Sequence, residues 1–207
     1  MTEATDLSAL ERFLNDFDLY LTVYERIEGR DESKLTEGLL DVGRGVRQGT
    51  RSWTKSDLVG IVRWKRLYRH MPRIEKNPES EVDERLRFAF MTEEERLRIE
   101  ILFLISGVGA ALASAILMFT FPERFGVFDF HAYNALKHLR YWRPKKKPGD
   151  FRARELLDYF DVLRSLAESK RTTAREADKA LYSSDKVKTD KRWKDIFNLI
   201  QDQRRTM

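Results

Sequence analysis

The stretch IEILFLISGVGAALASAILMFTFPERFGVFD, residues 99–129, decides the fold. It reads as a helix, a tight turn at Ser106-Gly107-Val108-Gly109, a second helix, a short loop and an aspartate that opens a third helix. Residues 101–121 carry no charge, and about 20 apolar residues are enough to cross a bilayer core, so a membrane span competes for the same stretch. Two glycines in its middle argue against one continuous helix. Divided at the glycines, both halves become regular. Residues 93–105 place Leu97, Ile101, Leu104 and Ile105 on one face, and residues 110–121 place Leu112, Ala115, Ile116 and Phe119 at helical spacing. Ala110, Ala111, Ala113, Ser114 and Ala115 let a neighbouring helix come close, in water or in lipid. Elsewhere the chain is rich in charge and has no second apolar span, which favours a buried hairpin over a membrane span.

Composition narrows the class of protein further. Apolar residues make up 42% and aromatics 12% of 207 residues, enough for a substantial core in one helical domain or two closely packed lobes. The absence of cysteine excludes a disulfide framework, thiol catalysis and an iron–sulfur cluster on cysteine ligands. His70, His131 and His138 are not grouped with carboxylates at metal-ligand spacing, so neither a metal nor a cofactor is expected. The acidic start Met1-Thr2-Glu3-Ala4-Thr5-Asp6 is unlike a signal peptide, and an intracellular, soluble, cytoplasmic protein is the expectation. Net charge is +5, modest in size but unevenly placed. Arg63, Lys65, Arg66, Arg69 and Arg73 form an acid-free run interleaved with Trp64, Tyr68 and His70. A second basic run around Lys145-Lys146-Lys147 holds a single acid, Asp150.

Periodicity and caps predict an all-α chain of about nine helices. Asp6 or Ser8 caps a first helix reaching residue 28, and a weak helix covers 33–42 before a loop marked by Gly43, Gly45 and Gly49. Thr54 or Ser56 caps a helix over 57–70; residues 72–78 form a linker, and 79–91 a charged amphipathic helix. Thr92 to Glu95 reads as a capping box for the hairpin. Asp129, Asp150, Thr173 and Asp190 open helices running to about residues 139, 169, 183 and 203.

Leu104-Ile105-Ser106-Gly107-Val108-Gly109, followed by Ala113-Ser114-Ala115-Ile116-Leu117, resembles the helix-hairpin-helix of the DNA glycosylase superfamily that includes endonuclease III. That superfamily carries a Leu-(Pro)-Gly-Val-Gly turn, a small-residue helix and then, at a nearly fixed distance, a Val-Asp supplying the catalytic aspartate. Val127-Phe128-Asp129-Phe130-His131-Ala132-Tyr133 matches this second element without insertion. The resemblance implies a multi-helix glycosylase-like fold with its hairpin and aspartate at about 93–139, a DNA partner bearing a damaged, modified or mispaired base, and Asp129 as the catalytic residue. Two departures bear on the chemistry. Ala111 stands where bifunctional members have the lysine that forms a Schiff base with the sugar, so the motif supports monofunctional hydrolysis. Asn134 stands where many members have arginine.

The candidate residues each have a plain structural role as well. Backbone N–H groups of Ser106, Gly107, Val108, Gly109 and Ala110 can hold a phosphate at a helix N-terminus, or the glycines can simply join two helices. Asp129 can stabilise positive charge on a sugar, or only cap a helix. Lys145, Lys146, Lys147, Arg63 and Arg66 can lie along DNA phosphates or be solvated surface. Trp64 can stack on a base, and His131 can touch a phosphate or polarise water; both can equally be structural. The alternative to a glycosylase is a non-catalytic DNA-binding or scaffolding protein with the same hairpin.

Overall fold

The computed structural model describes residues 4–29 and 33–206, and within them the chain is all-helical, with no strand. In order come α1 (Ala4–Asn15), α2 (Phe17–Ile27), α3 (Ser33–Arg47), α4 (Lys55–Trp64), α5 (Met71–Glu75) and α6 (Glu79–Met91). They are followed by α7 (Glu95–Phe103), α8 (Ala110–Thr120), α9 (Phe130–His138), α10 (Ala153–Lys170), α11 (Ala174–Thr189) and α12 (Lys191–Arg205). Short 3₁₀ turns occupy Tyr68–His70 and Pro148–Asp150.

The turn at 104–109 divides the uncharged run into α7 and α8, and no helix among the described residues is long and apolar enough to cross a membrane. From Leu112 onwards every residue of α8 is buried. A helix apolar on all sides belongs in a protein interior, and the surrounding helices are arranged on that account. α3 lies along α8 so closely that a Cβ on Gly43 would overlap the Phe119 carbonyl. The glycines at 43 and 45 are therefore helical rather than loop residues, and only Gly49, at φ +71°, turns the chain. Trp53 donates its indole N–H to the Thr120 hydroxyl at 3.0 Å, which lets a large polar ring pack against the end of α8 without an unsatisfied donor. Leu19, Val23, Tyr24 and Ile27 of α2 join Trp193, Phe197 and Ile200 of α12 in a second, smaller core.

Several helix boundaries differ from those expected, each for a local reason. The first helix starts at Ala4, ahead of both predicted caps, and breaks at Asp16 into α1 and α2. α4 stops at Trp64 instead of 70, and the predicted linker contains α5. Thr92 does not close a capping box: its hydroxyl accepts only the Glu94 N–H at 3.2 Å, and α7 begins without a side-chain cap. Asp150 sits in a 3₁₀ turn, while the N–H of Arg152, at the start of α10, donates to Glu155. Thr54, Asp129, Thr173 and Asp190 cap as expected, because this signal depends only on residues within one turn.

Arginine follows α4, α9 and α10 in the left-handed region, with φ of 55° at Arg66 and 52° at Arg140 and Arg171. Each is bracketed by the six-to-one backbone bond of a Schellman end: Leu67 to Val62, Tyr141 to Leu136 and Thr172 to Ala167. Glycine is the usual residue there, since a Cβ costs about 1 kcal/mol. The Arg171→Gly protein is expected to unfold about 2–4 °C higher than the parent, less whatever the freer unfolded glycine takes back. A calorimetric scan checks this, and a Tm below that of the parent contradicts it.

Candidate functional site

Asp129 is held in place by buried side chains that grip the backbone just before it. The Val127 N–H donates to Asp178 at 3.0 Å, the Val127 carbonyl accepts from the Tyr159 hydroxyl at 3.2 Å, and the Phe128 N–H donates to Ser114 Oγ at 2.8 Å. Gly126 leaves the room this requires, since a Cβ there would overlap Leu163 and Asp178. Burial raises the Asp178 carboxyl pKa, and Arg175 and the Val127 N–H only partly offset the rise. α8, α10 and α11 thus converge on one short segment and fix the start of α9.

Asp129 caps α9 through Oδ1, which accepts the His131 N–H at 2.8 Å. Its other oxygen, Oδ2, accepts from the Lys65 ammonium at 3.2 Å. The Asp129 side chain keeps 29% of its exposure and that of Lys65 9%. Burial pushes the Asp129 carboxyl up, but Lys65 and the His131 N–H more than offset it, and its pKa lies below the ordinary aspartate value. Capping a helix and facing an open site are therefore both true of this residue.

Two cavities meet at this ion pair. The first, about 140 Å³, is lined by Tyr24, Trp64 and Tyr182, the cations Lys65, Arg66 and Arg175, and the acids Glu28, Asp129 and Asp178. The second, about 340 Å³, is bounded by Gly109 to Leu112 at the start of α8, by Arg69 and His70, by Pro148-Gly149, and by Phe128 and the exposed Phe130. Lys65 and Asp129 are the residues that line both. Trp64 is fixed in the first wall by its indole N–H on Thr36 at 3.0 Å and by edge-on contact with Phe119.

The turn between α7 and α8 is built by its neighbours as much as by its own glycines. Gly107 has φ +94°, and a Cβ there would press on Ile74 and Arg73, so glycine is required. Its carbonyl accepts from His70 Nδ1 at 2.9 Å. Asn77 accepts the Ser106 N–H at 3.2 Å and donates to the Ser106 carbonyl at 3.0 Å. The Val108 N–H is also used, donating to Ile105 at 2.9 Å. Ser106 and Val108 are thus unavailable to a phosphate. Gly109 has φ −118°, open to any residue, and a Cβ there would meet nothing. It precedes α8 without a side-chain cap, which leaves the Gly109–Ala111 backbone facing the second cavity.

The remaining sequence candidates divide. Arg66 lines the first cavity, whereas Arg63 is exposed on α4 and lines neither. His131 also lines neither; its Nδ1 lies 2.7 Å from Asp185, and its ring packs edge-on against Tyr182. Lys146 pairs with Glu155 at 2.7 Å, while Lys145 and Lys147 are exposed and have no ion pair among the described residues. Among those residues no cluster suited to a metal occurs. Sequence reasoning placed Lys65 only in a basic run and passed over Tyr24, Arg175 and Tyr182; nothing local marks them as neighbours of Asp129. Comparison with family models, curated proteins and solved structures returns no match.

Proposed function

We propose that the protein binds duplex DNA and releases a base from it by hydrolysis, as a helix-hairpin-helix DNA glycosylase does. The observation that carries this reading is the position of Asp129, whose ionised carboxylate borders both an uncapped helix N-terminus and an aromatic cavity of mixed charge. The helix N-terminus suits a phosphate, through its unpaired N–H groups and its dipole. Arg69 on the same cavity adds a cation, steadied by its Nε–H donating to His70 Nε2 at 3.3 Å. The aromatic cavity suits a base turned out of the stack, and the carboxylate between the two faces the sugar. Phe130 at the rim offers an exposed aromatic face on which a neighbouring base can stack. An engineered cavity of about 150 Å³ holds benzene, so the 140 Å³ here favours a single six-membered ring. Ala111 supplies no amine at the start of α8 and the Lys65 ammonium is paired with Asp129, so this reading takes water as the nucleophile for base release.

A salt series of gel shifts tests the DNA reading. Affinity for duplex should fall steeply with salt, and the Lys145→Glu, Lys146→Glu, Lys147→Glu triple variant should bind weakly at all concentrations. Replacing Lys145 and Lys147 by alanine should flatten the log–log slope by about 2. Lys146→Ala should do less, because Glu155 already neutralises that lysine. Salt-independent binding, or none, rejects the reading. A panel of duplexes bearing single altered bases then tests release, with altered pyrimidines expected to react faster than altered purines.

A further inference from the structure

A third cavity, about 490 Å³, shares Tyr24, Trp64 and Arg175 with the first but reaches neither Lys65 nor Asp129. The Arg175 guanidinium is clamped in the common wall, 5.8 and 5.7 Å from the ring centroids of Tyr24 and Trp64. The floor is apolar, made by Leu40 of α3, Met118 and Phe119 at the end of α8, and Pro122. Leu40, Phe119 and Pro122 continue into an adjoining cavity of about 390 Å³, and Glu37 lines both. A mostly apolar groove of this size, with a few polar groups at its edge, suits a small organic molecule.

The charges around the groove decide what kind of molecule. Its cations are already paired: Lys179 with Glu25 at 2.5 Å, Arg175 with Asp178, Arg44 with Asp41, and Arg47 with Glu123 at 3.4 Å. Glu176 is also occupied, accepting the Thr173 N–H at 3.1 Å in the cap of α11. Of the lining acids, Glu37 alone has no ion pair or hydrogen bond among the described residues. α8 ends in the same wall, and the Met118 carbonyl has no helical donor because the residue four positions on, Pro122, lacks an N–H. The negative end of the helix dipole there favours a cation. We infer that this groove binds a small hydrophobic amine. Its ammonium sits against Glu37 where the two cavities meet, and its apolar body lies on Leu40, Met118 and Phe119. Such an amine is protonated at neutral pH, as lysine is with its pKa of about 10.4. A neutral analogue keeps only the apolar contact, and an acid meets an unpaired carboxylate and a helix C-terminus. The inference does not depend on the DNA reading, since the groove is separate from the Asp129 carboxylate.

The test titrates naphthylethylamine, naphthylethanol and naphthylpropionate into the full chain at low salt. NMR follows the Met118 methyl and the Trp64 indole N–H. The amine should shift both signals saturably and bind about 2- to 5-fold more tightly than the alcohol, with the acid weakest. Met118 lines this cavity and not the first, whereas Tyr182 lines the first and not this one, so the Tyr182 ring signals should stay in place. Glu37→Gln should remove most of the preference for the amine over the alcohol. Glu37→Lys should place the acid above the amine. Glu37 is exposed on α3, so both variants should fold as the parent does. A Met118 signal that the amine leaves unmoved overturns the inference. So do equal affinities for the three compounds, or a preference for the amine that survives unchanged in Glu37→Gln. The ranking of the three compounds by the parent needs no variant, and none of these outcomes bears on DNA binding or base release.

Discussion

Asp129→Asn is expected to abolish base release, with a loss on the order of 100-fold or more, while DNA affinity stays level or rises slightly. A preorganised charge aimed at a developing cation commonly contributes that much in rate. Asparagine can still accept the His131 N–H, and caps of these two types differ by well under about 1 kcal/mol, so α9 should form as before. The variant also removes the partner of Lys65, and a lower Tm is expected on that account. Circular dichroism at the assay temperature separates unfolding from lost chemistry. Scoring base release after alkali treatment turns every abasic site into a strand break, so release is read directly. Activity in Asp129→Asn equal to that of the parent removes the residue from the mechanism. No release by the parent from oxidised, alkylated, deaminated or mismatched bases favours the non-catalytic alternative.

The same residue predicts a pH dependence. Burial acts to raise its pKa, but Lys65 and the His131 N–H prevail, and the carboxyl titrates below its ordinary value of about 3.9. In the proposed hydrolysis the ionised form is the one that stabilises the sugar cation, so the acid limb of base release should lie below that value. For stability the sign is the same. A depressed folded pKa contributes stability that is fully present above the unfolded value and is lost as pH falls through the folded one. A limb near pH 6 would point to a different titrating group.

The second large effect is structural, and it sets two glycines of one helix against each other. Gly43→Ala is expected to cost about 3 kcal/mol or more, because the new Cβ overlaps the Phe119 carbonyl and only a displacement of α3 from α8 relieves it. Neither side of that contact is a flexible side chain that can turn away. Gly38→Ala, on the exposed face of α3 with nothing near its Cβ, is expected to gain about 0.5–1 kcal/mol from helix propensity alone. Urea midpoints of the two variants should move in opposite directions. A Gly43→Ala protein as stable as the parent would mean that α3 does not lie against α8.

The pair also shows how one residue type can signal two things. In sequence, Gly43, Gly45 and Gly49 look alike, and a cluster of glycines ordinarily marks a loop. Gly49 does turn the chain, whereas Gly43 sits within a helix and permits close approach to a partner that follows it by more than 70 positions. No local rule separates these cases, since the contact that distinguishes them lies in another element. The predicted linker at 72–78 is a similar case: Asn77 anchors Ser106 through bonds that local sequence does not announce.

By itself the sequence determined the helical class, the burial of α8, the tight turn at Gly107 and the capping roles of Thr54, Asp129, Thr173 and Asp190. All of these rest on interactions within a few residues: helical periodicity, a left-handed backbone, an oxygen one turn from an N–H. Only the tertiary structure decided what surrounds Asp129. The Lys65 ammonium, the grip of Ser114, Tyr159 and Asp178 on the preceding backbone, and the meeting of two cavities at one carboxylate all join groups far apart in the chain. A lysine in a basic run looks like solvated surface until the helix carrying it is docked, because its charge is paired and its burial fixed by whatever the fold brings opposite it.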